Sequence, residues 1–196
     1  MSEINELAPQ QFTRYWQTIW LKPRQTIAEI YLQPRHWLNW LPAMMTGCAF
    51  MIAVGIAGEL WKSVSFRQLL LAALMIGPFI GLLNVGILAF LVKLVGRAFD
   101  GANDSARLRL ALSWSMVPAA VAIIPTAFEY QLMASGNTGL ITQSLSYIRT
   151  ALDIWGVLLM CMTVAEAQRL SFKNGALNVL IIFALLHMLN FLAMRA

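Results

Sequence analysis

The sequence predicts an all-α, polytopic membrane protein, with five transmembrane helices preceded by an N-terminal amphipathic interfacial helix. Three observations predict it. Of 196 residues, 59% are hydrophobic and only 12% charged, about half the charged share of a soluble domain. Five apolar stretches, each near the ~20 residues that cross a bilayer, fall at Leu41–Gly58, Leu69–Val95, Leu108–Phe128, Thr150–Gln168 and Gly175–Met194. Lys and Arg gather at the ends of these stretches, so the net charge of +5 reads as a topology signal and not as a nucleic-acid footprint.

Residues 1–40 form a segment ahead of the five-span region 41–196. They are too polar to span, yet Phe12, Trp16, Ile19 and Trp20 recur at i, i+4, i+7 and i+8, one face of a helix. That face must be buried, either in the headgroup region or against the spans. Lys22, Pro23 and Arg24 end the helix, Thr26 to Leu32 offers a second short apolar face, and Pro34 breaks the chain again. Trp37 and Trp40 are placed to anchor the first span as an aromatic belt. Glu3 and Glu6 stand where a cleaved signal peptide would carry basic residues, so the first span itself is expected to direct insertion.

In the first span Gly47, Gly55 and Gly58 permit close helix approach; in the second, Gly77 and Gly81 lie one turn apart beside an expected kink at Pro78. These glycine faces suit either self-association or packing within one chain. Asn84 falls near the midpoint of the second span. Gly96 to Ser105 supplies turn and cap chemistry, bracketed by Arg97, Arg107 and Arg109. The third span is expected to end at Glu129 and Tyr130, followed by a polar loop from Gln131 to Ser146. In the fourth, only Ile154 to Ala165 is uncharged, too short to cross alone, so Asp153, Glu166 or both must lie near membrane depth. Lys173, Asn174 and Gly175 lead into the last span, which carries Asn178, His187 and Asn190 and ends at Arg195.

Counting Lys and Arg in the connections predicts orientation. With the N-terminus inside, that side holds Arg14, Lys22, Arg24, Arg35, Lys93, Arg97, Arg107, Arg109, Arg169 and Lys173, ten against the four of Lys62, Arg67, Arg149 and Arg195. The expected topology is N-terminus cytoplasmic, C-terminus external.

Ionisable groups inside a span are costly and direct attention to function. Asp153, Glu166 and His187, with the amides of Asn84 and Asn190, are therefore the candidate intramembrane residues. Packing competes with function at each. Arg149 stands four residues before Asp153 and Arg169 three after Glu166, so each carboxylate is expected to pair along its own helix. Thirteen residues, roughly 20 Å of helix, separate the two carboxylates and exclude a catalytic dyad. His187 and Asn190 share a face suited to an interhelical contact or a proton relay. Phe12, Trp16, Ile19 and Trp20, with Asp100, Asp104, Arg107 and Arg109, make the candidate surface for membrane or partner. No H-E-x-x-H, G-x-S-x-G, Walker or dinucleotide motif is present, so no enzymatic activity is expected. Two isolated histidines, and Cys48 and Cys161 inside apolar runs, do not match a standard zinc site; no metal or cofactor is expected.

Three blocks, WQTIWLKPRQTIAEI, GRAFDGANDSARLRLALSWSMVPAAV and IWGVLLMCMTVAEAQRLSFKNGALNVLI, together resemble the Ypt-interacting protein (Yip) domain family of five-span membrane proteins. The positions that carry the resemblance are Pro23 and Arg24; Gly96 and Gly101; Ser113, Ser115 and Pro118; and Glu166, Lys173 and Ala176. The resemblance implies five spans and a cytosolic N-terminus. In eukaryotes the family acts in vesicle trafficking and contacts Rab-type GTPases. Here the glycine turn reads Asp-Gly-Ala-Asn-Asp where many members have paired glycines with a lysine, and the compact form is similar to prokaryotic members. The expected role is an inner-membrane, membrane-organising or partner-binding scaffold, with the lipid bilayer, a cytoplasmic protein and a second copy of the chain as candidate partners and no nucleic acid. The alternative is a small oligomeric transporter or channel for an ion, a proton-coupled solute or a lipid.

Overall fold

The computed structural model describes residues 9–33 and 37–193; the expected break at Pro34 and the terminal Arg195 lie outside them. Among the described residues every regular element is helical: α1 Pro9–Thr18, α2 Pro23–Tyr31, α3 Leu41–Ala57, α4 Phe66–Gly96, α5 Ser105–Ser115, α6 Val117–Val121, α7 Ile123–Ala134, α8 Leu140–Ala167 and α9 Phe172–Ala193. Five segments are long and apolar enough to cross a membrane: Trp37–Ala57, Phe66–Phe99, Val117–Ala134, Leu140–Ala167 and Phe172–Leu189.

Two span boundaries differ from expectation, each for a local reason. The third span does not begin at Leu108 but at Val117. Pro118, lacking an N–H, fits the first turn of a new helix, and α6 starts there, separating the more polar α5. Ser113 and Ser115 of α5 are buried, and Ser113 donates to the Asn39 carbonyl at 2.8 Å. The fourth span starts ten residues before Thr150, reducing the expected polar loop to residues 135–139. Its early hydroxyls are satisfied on their own helix, Ser144 donating to the Leu140 carbonyl and Thr150 to that of Ser146, so polarity there does not forbid a helix. Helix α4 runs without interruption through Pro78.

The chain groups into two compact units. Of the described residues, one contains those up to 33, Gly86–Leu112 and those from Leu158 onward; the other contains Trp37–Val85 and Ser113–Val157. In the second, α3 and α4 meet backbone to backbone. A Cβ added at Gly47 would collide with the Gly77 carbonyl and the Gly81 amide, and one at Gly81 with the Ala43 carbonyl. The glycine faces therefore pack within the chain. Beside them Ile52, Leu69, Ala73 and Tyr130 form a buried cluster, and the Tyr130 hydroxyl donates to the Val64 carbonyl at 2.8 Å. In the first unit Val92, Leu108, Leu112, Leu159, Val164 and Val179 are almost completely buried.

Candidate functional site

In the first unit, three distant parts of the chain close on one side chain, Gln168. Helix α4 ends at Gly96, a short 3-10 turn follows over Arg97–Phe99, and Asp100 reverses the chain in the left-handed region at φ 56°, a conformation Asp tolerates better than most residues. The Gly101 amide then donates back to the Gly96 carbonyl at 2.9 Å. Glycine at 96 makes room for the Gln168 amide, whose place a Cβ there would occupy. Gln168 itself is 1% exposed. Its carbonyl accepts from the Ala102 amide at 2.9 Å. Its side-chain N–H donates to the Val92 carbonyl at 3.3 Å, and its side-chain oxygen accepts from Asn178 at 2.6 Å. Asn178, fully buried on α9, also donates to the Val92 carbonyl at 3.0 Å. This joins α4, the loop after it, the end of α8 and α9 through one polar knot. A buried amide is costly unless paired, so such a knot admits few alternative arrangements.

Helices α1 and α2 form a cap fastened beside that knot. They hold each other through Arg14 and Glu29 at 2.8 Å and through the Thr18 and Thr26 hydroxyls at 2.9 Å. Tyr15, Ile19, Ile27 and Ile30 supply the buried face. Two latches reach beyond the cap, one to the end of α8 and one to α5. The Arg24 Nε donates to Glu166 Oε2 at 3.2 Å. The Tyr31 hydroxyl donates to the Arg107 carbonyl at 2.8 Å, while the Arg107 guanidinium lies 4.2 Å from the Tyr31 ring centroid, within cation–π range. Burial pushes the Tyr31 hydroxyl above its ordinary pKa against the opposing effect of Arg107, so it stays a proton donor. Asp104 caps α5 and fixes Arg107 in place, its Oδ1 accepting from the Ala106 and Arg107 amides at 2.9 and 3.1 Å.

The expectation that each carboxylate pairs along its own helix is corrected. Glu166 reaches α2 instead of Arg169, which sits in the left-handed turn after α8 at φ 56°. Arg149 turns to α7, where it meets Glu129 at 2.9 Å. Asp153 makes no hydrogen bond among the described residues and lines, with Arg149, Thr46 and Thr126, a groove of about 440 Å³ in the second unit. Glu129 was read as the exit of the third span; it is 4% exposed within it.

The N-terminal face is also differently shared. Ile19 is fully buried, but Tyr15 is its close partner, and Phe12, Trp16 and Trp20 are half-buried. Phe12 and Trp16 meet edge to face with ring centroids 6.0 Å apart. Asn84 is exposed on α4 with no hydrogen bond among the described residues. His187 is exposed and its Nδ1 lies 3.0 Å from the Phe183 carbonyl of its own helix. The Asn190 side chain lies outside the described residues. Asp100 serves the turn, and Arg109 is exposed near Ser105. Neither Gln168 nor Asn178 is among the candidate residues of the sequence; an amide two residues after Glu166, and a second in the next apolar run, are the available signals.

Five spans, an all-helical architecture among the described residues and a polar knot between span ends define an integral, polytopic α-helical membrane protein. The family model for the Yip1 domain matches residues 16–194. The chain belongs to the Yip1-domain family. No curated protein and no solved structure matches it.

Proposed function

We propose that this Yip1-family protein is a non-enzymatic membrane scaffold that presents its α1–α2 cap to a protein partner. One observation carries the reading: the cap is latched to the end of the fourth span by Arg24–Glu166 and to α5 by Tyr31–Arg107, yet leaves Leu21 and Leu32 at 84% and 88% exposure. Covering these two side chains with a partner would remove apolar surface from water. The ten-to-four charge asymmetry supports a cytoplasmic cap, and the resemblance to compact prokaryotic members supports an inner membrane. Photocrosslinkers introduced at Leu21 and at Leu32 in native membranes are expected to yield a discrete protein adduct that weakens when Arg24→Ala releases a latch. Absence of an adduct, or one insensitive to cap release, would overturn the proposal.

The groove carrying Arg149 and Asp153 favours a second reading, a small transporter or channel. In that reading Asp153, the candidate intramembrane carboxylate whose side chain has no hydrogen-bonded partner among the described residues, would face the permeant species.

A further inference from the structure

The first unit contains a second groove, of about 350 Å³, whose lining changes character along α4. Gly86, Phe90, Lys93, Leu94 and Arg97 fall at i, i+4, i+7, i+8 and i+11, a stripe running about 16 Å along α4 and the turn after it. The first part is apolar, with Phe90 66% and Leu94 53% exposed. The second part is cationic. Lys93 Nζ donates to the Ser105 hydroxyl at 2.9 Å and Arg109 Nε to the Ser105 carbonyl at 3.3 Å, so two cations from different helices converge on one residue. Arg97 joins them in the lining.

Each keeps donors in reserve: Lys93 commits one of three N–H groups and Arg109 one of five, while the Arg97 guanidinium makes no hydrogen bond among the described residues. None of the ion pairs among the described residues involves the three. The nearby Asp104 is engaged in capping α5, and Asp100 occupies the exposed turn after Phe99. The groove thus combines three cations outside the ion pairs of the described residues, near the end of the Phe66–Phe99 span, with an exposed apolar strip leading into the span.

We propose that this groove binds an anionic phospholipid, its phosphate held by Lys93, Arg97 and Arg109 and an acyl chain lying along Phe90 and Leu94. A soluble phosphate would satisfy the cations but not the apolar strip; a lipid satisfies both. Lipid capture here is independent of any protein on the cap. Native mass spectrometry of the purified full chain, with phosphatidylglycerol or phosphatidylcholine added, tests it. Phosphatidylglycerol should be retained preferentially, and retention should fall about fivefold per cation removed, toward the phosphatidylcholine level in the variant Lys93→Ala with Arg97→Ala and Arg109→Ala. Arg97→Gln alone, at an exposed position, provides the same test should the triple variant fail to fold. Lys62→Gln with Arg67→Gln should leave retention unchanged. Equal retention of phosphatidylcholine, retention insensitive to the groove variants, equal loss in the Lys62 and Arg67 variant, or displacement by inorganic phosphate would each overturn the proposal.

Discussion

The two units are held together by different physics. In the second, helices α3 and α4 approach through Gly47, Gly77 and Gly81, and a nearly buried ion pair, Glu129–Arg149, joins α7 to α8. In the first, the Gln168–Asn178 knot and the two latches of the cap add polar contacts between distant segments to an apolar core around Val92, Leu108 and Leu159. Close backbone packing in a membrane is rigid and needs small residues. Half-exposed latches can be opened at little cost. The comparison places structural strength in the glycine-packed unit and adjustability in the unit that carries the cap.

Substitutions sharpen this contrast, and the largest effect should fall in the second unit. Glu129→Leu leaves the Arg149 charge without its partner at 2.9 Å and should lower stability by about 3–5 kcal/mol, whereas Glu129→Leu with Arg149→Met should recover most of it. Thermal unfolding of the purified protein in detergent measures both. Next is Gly47→Ala, whose new methyl meets backbone atoms that cannot move aside; about 1–3 kcal/mol is expected, with reduced yield of folded protein. Asn178→Leu should cost a comparable ~1–3 kcal/mol by leaving the Gln168 side-chain oxygen unpaired. Arg24→Ala should be smallest globally, about 0–1 kcal/mol, because the pair is partly exposed. Its signature is local instead: amide exchange should accelerate across α1 and α2 and leave α3 and α4 unchanged. Equal acceleration in both units would erase the proposed distinction.

The spans were legible because hydropathy depends on local composition; the glycine faces were legible as sites of close approach, but their partner was not, since self-association and packing within one chain use the same face. Span boundaries were less so, since α8 starts among hydroxyls that bond to their own helix. The cap face was legible in phase, but Tyr15 carries a hydroxyl and was passed over although it stands four residues before Ile19. Pairing was least legible. Arg149 has Asp153 at the favourable spacing on its own helix, yet a carboxylate twenty residues earlier lies closer to hand across α7. Periodicity describes one helix at a time, and the contacts of Arg24, Arg149 and Gln168 are set by how helices meet.

The central claim, a scaffold and not a conduit, is tested most directly by ion and proton flux into proteoliposomes containing the purified chain, with Asp153→Asn alongside and empty vesicles as baseline. The account predicts flux indistinguishable from empty vesicles for both proteins. Flux above that baseline that Asp153→Asn removes would contradict it and assign the Arg149–Asp153 groove as a pathway.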